Sequence, residues 1–123
     1  MSKIFIVLWM VFFHIVDDYY LQGWLASAKQ ESWWKNNLPD PLYKNDYICA
    51  LMMHAFSWTF MIMLPIAYWM DFAITLPYVV MFAGNWVVHS VVDDLKANKH
   101  VTNLCDDQLI HMFQIVMTAW VLL

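Results

Sequence analysis

Apolar positions fall along the chain in four long stretches, at about residues 4–24, 47–70, 72–92 and 104–123. Each approaches the roughly 20 residues that an α-helix needs to cross a bilayer. The stretches are too long for barrel strands, and a spanning segment must satisfy its own backbone hydrogen bonds, so helix is the expected form. The pattern predicts helices over about 3–28, 46–70, 72–97 and 104–123, with one long connection at 29–45. That connection holds Trp33, Trp34, Pro39, Pro41 and three lysines, and reads as an interfacial loop with a short amphipathic turn around Gln30 to Lys35. Pro65 and Pro77 lie within or near the ends of the second and third helices, where each can kink its helix. The second and third helices meet around Asp71 with almost no loop, as a tight antiparallel hairpin.

Composition strengthens the membrane reading. Hydrophobic residues make up 63% of the 123 residues and charged ones 13%, against about half and about a quarter in an ordinary soluble domain. A chain this short has too much surface to hide that apolar area from water. The expected fold class is therefore all-α: a single-domain, integral membrane four-helix bundle over residues 1–123, with the lipid bilayer as its partner. Eight Trp and six Tyr suit the membrane interface. Cys49 and Cys105 form no zinc-type or CxxC spacing and read as small buried hydrophobes. The formal charge of −4 gives no basic face for nucleic acid. Residues 1–28 also carry the outline of a signal peptide, with Lys3, an apolar run and Ala26-Ser27-Ala28, but the acidic segment before that site is long for a cleavage region. Lys29, Lys35, Lys44, Lys96 and Lys99 fall in or beside loops 29–45 and 97–103, with only Lys3 at the other end. The positive-inside bias then puts both loops in the cytoplasm.

Ionisable side chains inside membrane segments cost roughly 2.5–3.5 kcal/mol each on insertion scales and mark function by default. Here they repeat a spacing. The first helix carries His14-x-x-x-Asp18, the third His89-x-x-x-Asp93 and the fourth Asp107-x-x-x-His111. A separation of four puts both side chains on one helix face. The fourth helix runs opposite to the other two, so its reversed order brings every Asp toward the lysine-rich side and every His one turn deeper. His54 in the second helix lies at a depth that fits the His layer. Seven candidate ligands follow: His14, Asp18, His54, His89, Asp93, Asp107 and His111. Four imidazoles and three carboxylates suit one or two divalent ions, zinc first, with manganese or iron as alternatives. Two ions would neutralise the carboxylates and could activate water against a phosphoryl group. Asp17, Asp94 and Asp106 adjoin ligands but point about 100° away on a helix, and read as solvated ends or outer partners. Gln22, Lys96 and Gln108 are candidates to orient ligands or bind substrate. Beyond His14 and His111 the helices carry almost no polar residue toward the far side, which makes a transport path poor.

These residues also resemble a known family. The run His14-Ile15-Val16-Asp17-Asp18-Tyr19-Tyr20-Leu21-Gln22 is similar to the H-x-x-x-D-[FY]-x-L-Q signature of the domain of unknown function 3307 family. His54 after Ala50-Leu51-Met52-Met53, His89 to Asp93 with Lys96, and Asp107-Gln108 with His111 follow that family's later blocks in order. Asp94 departs from it, since an aromatic residue is common there. The family comprises small bacterial and phage membrane proteins and resembles membrane-bound metal-dependent hydrolases. The resemblance implies a bacterial inner-membrane protein, bacterial or phage-encoded, that hydrolyses a phosphoester or lipid headgroup at the cytoplasmic interface. One of Asp18, Asp93 and Asp107 would be its general base. Two other readings use the same residues: a metal-ion or proton transporter, and a non-catalytic membrane factor for phage-type exclusion or partner binding, with a structural metal.

Overall fold

The computed structural model describes residues 1–123 and is all-helical. Six α-helices follow one another: α1 Lys3–Val16, α2 Leu25–Ala28, α3 Glu31–Asn37, α4 Asp46–Trp69, α5 Leu76–Ala97 and α6 Leu104–Leu122. A π-helical segment, Asp17–Leu21, continues α1, and a 3₁₀ turn, Pro41–Tyr43, precedes α4. The four long helices close into a ring, with α1 against α4 and α6, and α5 against α4 and α6.

The ends of these elements have local causes. Gly23 adopts φ +52°, a left-handed conformation that costs glycine little, and the chain turns there from the π segment into α2. The single helix expected over 3–28 is thus three pieces. The expected interfacial loop is also partly helical, in α3 and the 3₁₀ turn. Asp71 and Phe72 both take positive φ, and Phe72 N–H donates to Ala67 O (2.7 Å), which turns the chain back after α4. Pro77 stands in the first turn of α5, where its missing N–H has no helical partner to lose, so it starts the helix rather than kinking it. Pro65 sits inside α4, which continues to Trp69. Asn103 and Asp106 form a reciprocal capping box at the start of α6, which gives Asp106 a structural role.

Two helical segments, Lys3–Leu21 and Pro41–Trp69, are long and apolar enough to cross a bilayer. Four were expected. The polar residues of α5 and α6, among them Asn85, Asp93, Asp94, Lys96, Asp106, Asp107 and Gln114, dilute their apolar character. Both helices nonetheless point apolar side chains outward: Val87 and Val91 on α5, and Leu109, Phe113, Val116 and Trp120 on α6 are all exposed.

The interior has two parts. An apolar core of Ile6, Met10, Trp58, Ile62, Met63, Ile66, Ile115 and Ala119 fills the end near the chain termini. Nearer the lysine-bearing connections the interior is ionisable. His14, Asp17, Lys29, His54, His89, Asp93, Asp107 and His111 are all buried there. A smaller cluster of Ala28, Trp34 and Ala50, with Trp33, Tyr43 and Tyr47 packed on it, covers that end.

Candidate metal centre

Regular helical spacing delivers most of the site. α1 and its π segment supply His14 and Asp18, α4 supplies His54, α5 supplies His89 and Asp93, and α6 supplies Asp107 and His111. Their donor atoms converge around His54. Its Nε2 lies 3.2 Å from His89 Nε2, 3.2 Å from Asp18 Oδ1 and 3.3 Å from Asp93 Oδ2. His89 Nε2 is 3.9 Å from both Asp18 Oδ1 and Asp93 Oδ2. A tetrahedral cation with bonds of about 2.0–2.1 Å spaces its donors roughly 3.3–3.4 Å apart. The two imidazole nitrogens and Asp18 Oδ1 therefore form a triad close enough to share an ion, while the neighbouring Asp93 Oδ2 accepts from Lys29 Nζ at 2.6 Å.

A second set adjoins the first through Asp93. While Asp93 Oδ2 faces His54, its Oδ1 lies 3.7 Å from His111 Nε2. His111 Nε2 is in turn 3.3 Å from Asp107 Oδ1. Both of those atoms are buried and neither has a hydrogen-bond partner. Buried polar atoms are normally satisfied, so a facing pair without partners fits a cation between them. His89, Asp93 and His111 also lie close enough to share an ion. His89 belongs to both triads, but a neutral imidazole nitrogen has one lone pair and serves one ion at a time. Two buried His/Asp groups could thus hold a metal ion.

His14 borders the first set, its Nδ1 3.5 Å from Asp18 Oδ2, but both its ring nitrogens have other hydrogen-bond partners. Trp58 Nε1 donates to His14 Nδ1 (2.7 Å), which leaves the proton on Nε2 to donate to Gln108 Oε1 (2.8 Å). Gln108 Nε2 then donates to Asp107 Oδ2 (3.0 Å). His14 and Gln108 together orient Asp107. Trp58 does more than hold His14: its ring stacks on His89 at 4.1 Å, and His111 also stacks on His89 at 4.2 Å. Gln22 Nε2 donates to the Asp18 carbonyl (2.6 Å), so it braces the π segment.

Asp17 is part of the site, although its sequence position suggested an outward direction. It is fully buried. The wider winding of the π turn brings neighbouring side chains closer to one direction, and such turns often occur at functional sites. Ser57 Oγ donates to Asp17 Oδ1 (2.5 Å), and Asp17 Oδ2 lies 3.8 Å from His54 Nδ1. Neither of these two atoms has a hydrogen-bond partner, so the carboxylate faces the far nitrogen of the imidazole without bonding to it; a hydrogen bond there would fix the ring as a metal donor.

The lysines complete the set. Lys96 Nζ donates to Asp107 Oδ2 and Lys29 Nζ to Asp93 Oδ2, both at 2.6 Å. Lys29 is buried rather than a loop charge, because Gly23 folds α2 back over the bundle. Nothing in the local sequence around Lys29 signals this. A further polar chain leads away from the site. His111 Nδ1 pairs with Gln114 Oε1 (3.1 Å), Gln114 Nε2 donates to Asn85 Oδ1 (3.2 Å), and Asn85 Nδ2 donates to Thr118 Oγ1 (2.7 Å). The far half is therefore less apolar than the sequence suggested. The spacing Gln114-x-x-x-Thr118, in helical register with His111, was the available signal.

No family model, curated protein or solved structure matches this chain.

Proposed function

We propose that the protein is a membrane-embedded four-helix metalloprotein whose buried His/Asp centre holds one or two divalent cations, zinc before manganese or iron. The observation that carries this is the triad of His54 Nε2, His89 Nε2 and Asp18 Oδ1, with separations of 3.2–3.9 Å, beside the second triad of His89, Asp93 and His111. Outward Ile4, Leu8, Phe12, Phe113, Val116 and Trp120 support the bilayer as the surrounding phase. With the lysine-bearing connections on the cytoplasmic side, the centre lies beneath that interface.

Within this reading the centre is a metal-dependent hydrolase acting on a phosphoester or lipid headgroup. Bound divalent cations supply Lewis acidity and a lowered water pKa. The chain's own groups divide the remaining work. Ser57 holds Asp17, whose free oxygen faces His54 Nδ1 at 3.8 Å, and His14 and Gln108 hold Asp107. Asp18 is the one candidate base that no lysine engages, and it is 9% exposed against 2% for Asp93 and 0% for Asp107. Those properties favour Asp18 as the group that takes a proton from water. The near-complete burial of the other donors favours instead a structural ion in a non-catalytic membrane factor, which is the second reading.

Elemental analysis of the purified full-length chain tests the shared premise. Zinc bound in stoichiometric amount, with a melting temperature that falls in chelator, is the expected result. His89→Ala should remove the metal while His100→Ala keeps it. Metal at less than ~0.2 per chain, with melting unchanged by chelator, would refute the metal centre, since any tightly bound ion must stabilise the fold. Phosphoesterase turnover that appears with metal and disappears in Asp18→Asn would separate the enzyme from the structural reading.

A further inference from the structure

The charges around the centre balance differently for one ion and for two. Asp17, Asp18, Asp93 and Asp107 bring four carboxylates together. Lys29 and Lys96 answer with two ammonium groups, each 2.6 Å from a carboxylate oxygen. With the imidazoles neutral, as metal binding requires, the set carries a formal charge of −2. One divalent cation would bring it to neutrality. A second would leave +2 within a bundle whose surroundings are apolar, and an uncompensated buried charge is costly.

Lys29 is built into this arrangement. It is 6% exposed, and its backbone is fixed from two directions. Asn98 Nδ2 donates to Lys29 O (3.0 Å), and Trp34 Nε1 donates to the preceding carbonyl, Ala28 O (2.7 Å). Asn98 Oδ1 also accepts from Glu31 N (2.7 Å), so one side chain on the end of α5 clamps both sides of the α2–α3 junction. Lys96 approaches from α5 and keeps 30% of its side chain exposed. One ammonium is thus held inside and the other reaches from the site to its edge. Lys29 occupies Asp93 Oδ2, beside His54, and Lys96 holds Asp107 Oδ2, the oxygen next to the one that faces His111, so both ammonium groups stand at the edge of the candidate cation positions.

We infer that the second cation enters together with a phosphate oxyanion, and that Lys29 and Lys96 are the residues that bind that anion. The inference rests on the proposed metal centre and deepens it by assigning its anionic ligand. A phosphomonoester carries close to two negative charges near neutral pH, which matches the +2 left by two cations. Lysine ammonium groups serve phosphates as compact point charges. The same chemistry is offered by free phosphate and by a lipid headgroup that ends in a phosphomonoester.

The test counts zinc per chain on the full-length protein, desalted after loading. In neutral detergent without phosphate, and in phosphatidylcholine nanodiscs, one zinc is expected, because that state is neutral. Inorganic phosphate in detergent, or phosphatidic acid in the nanodisc, should raise the count to two; the arm that does so identifies the source. The double variant Lys29→Gln/Lys96→Gln reverses the dependence: its charge of −4 is neutralised by two cations alone, so it should take two zincs without phosphate. Circular dichroism establishes that the variant is folded, and the wild-type arms decide the question if it is not. Two zincs on the wild type without any anion, or one zinc in every arm, would overturn the anion inference and leave the metal centre standing. A chain that takes no zinc in any arm overturns the metal centre itself.

Discussion

The two ends of the bundle are built on the same helices and have opposite interiors. Near the chain termini, Ile6, Met10, Ile62, Met63, Ile66 and Ile115 pack as an ordinary apolar core. One to two turns away along α1, α4 and α6, the inward positions become His14, His54 and His111, with Asp17, Asp18 and Asp107 beyond them. The outward positions do not change character over the same distance: Ile4, Leu8 and Phe12 on α1 and Leu109, Phe113 and Trp120 on α6 are exposed throughout. A helix can therefore alter what it encloses without altering what it shows to its surroundings. The contrast also separates two tasks. The apolar end holds the helices together whatever the ionisable end contains, so the site can tolerate buried polar atoms that lack partners, such as Asp107 Oδ1 and His111 Nε2.

Breaking the ionisable end at its shared ligand should have the largest effect. Asp93 faces both His54 and His111. Asp93→Asn should weaken zinc binding by more than the 10–100-fold typical of an outer partner, measured by competition with a chromogenic chelator. Next comes the apolar end. Ile62→Ala should cost about 2–5 kcal/mol of stability through the cavity it leaves, measured by denaturant unfolding in detergent. The number of zinc ions bound should stay the same. A variant that lost zinc in proportion to stability would show that the two ends are not separable. The smallest of the three is Asp17→Asn, which keeps the shape behind His54 but removes the negative charge facing its ring. A loss of about 10–100-fold in zinc affinity is expected, and an unchanged affinity would remove Asp17 from the site.

These regions were unequally legible in the sequence. The His-x-x-x-Asp and Asp-x-x-x-His pairs could be read because α5 and α6 keep regular helical winding through them. Asp17 could not, since the π segment shifts the direction of its side chain and the residue types around it do not announce that winding. Lys29 was invisible for a different reason. It reaches Asp93, 64 residues away, only because the chain reverses at Gly23 and Asn98 ties down the result. Four apolar stretches suggested four equal spans, yet two segments qualify on their own length and composition. The inward polar residues of α5 and α6 that build the site are the same ones that dilute the signal.

The first triad draws its donors from three helical segments, at positions 18, 54 and 89. An ion seated there would act as a cross-link between distant parts of the chain. Unlike a covalent staple it would leave the unfolded ensemble unconstrained and stabilise the fold by binding the assembled chain alone. No single helical hairpin contains all the donors, so tight binding would have to await the assembly of at least α1, α4 and α5. The bound ion would then serve as a seal on a finished tertiary structure.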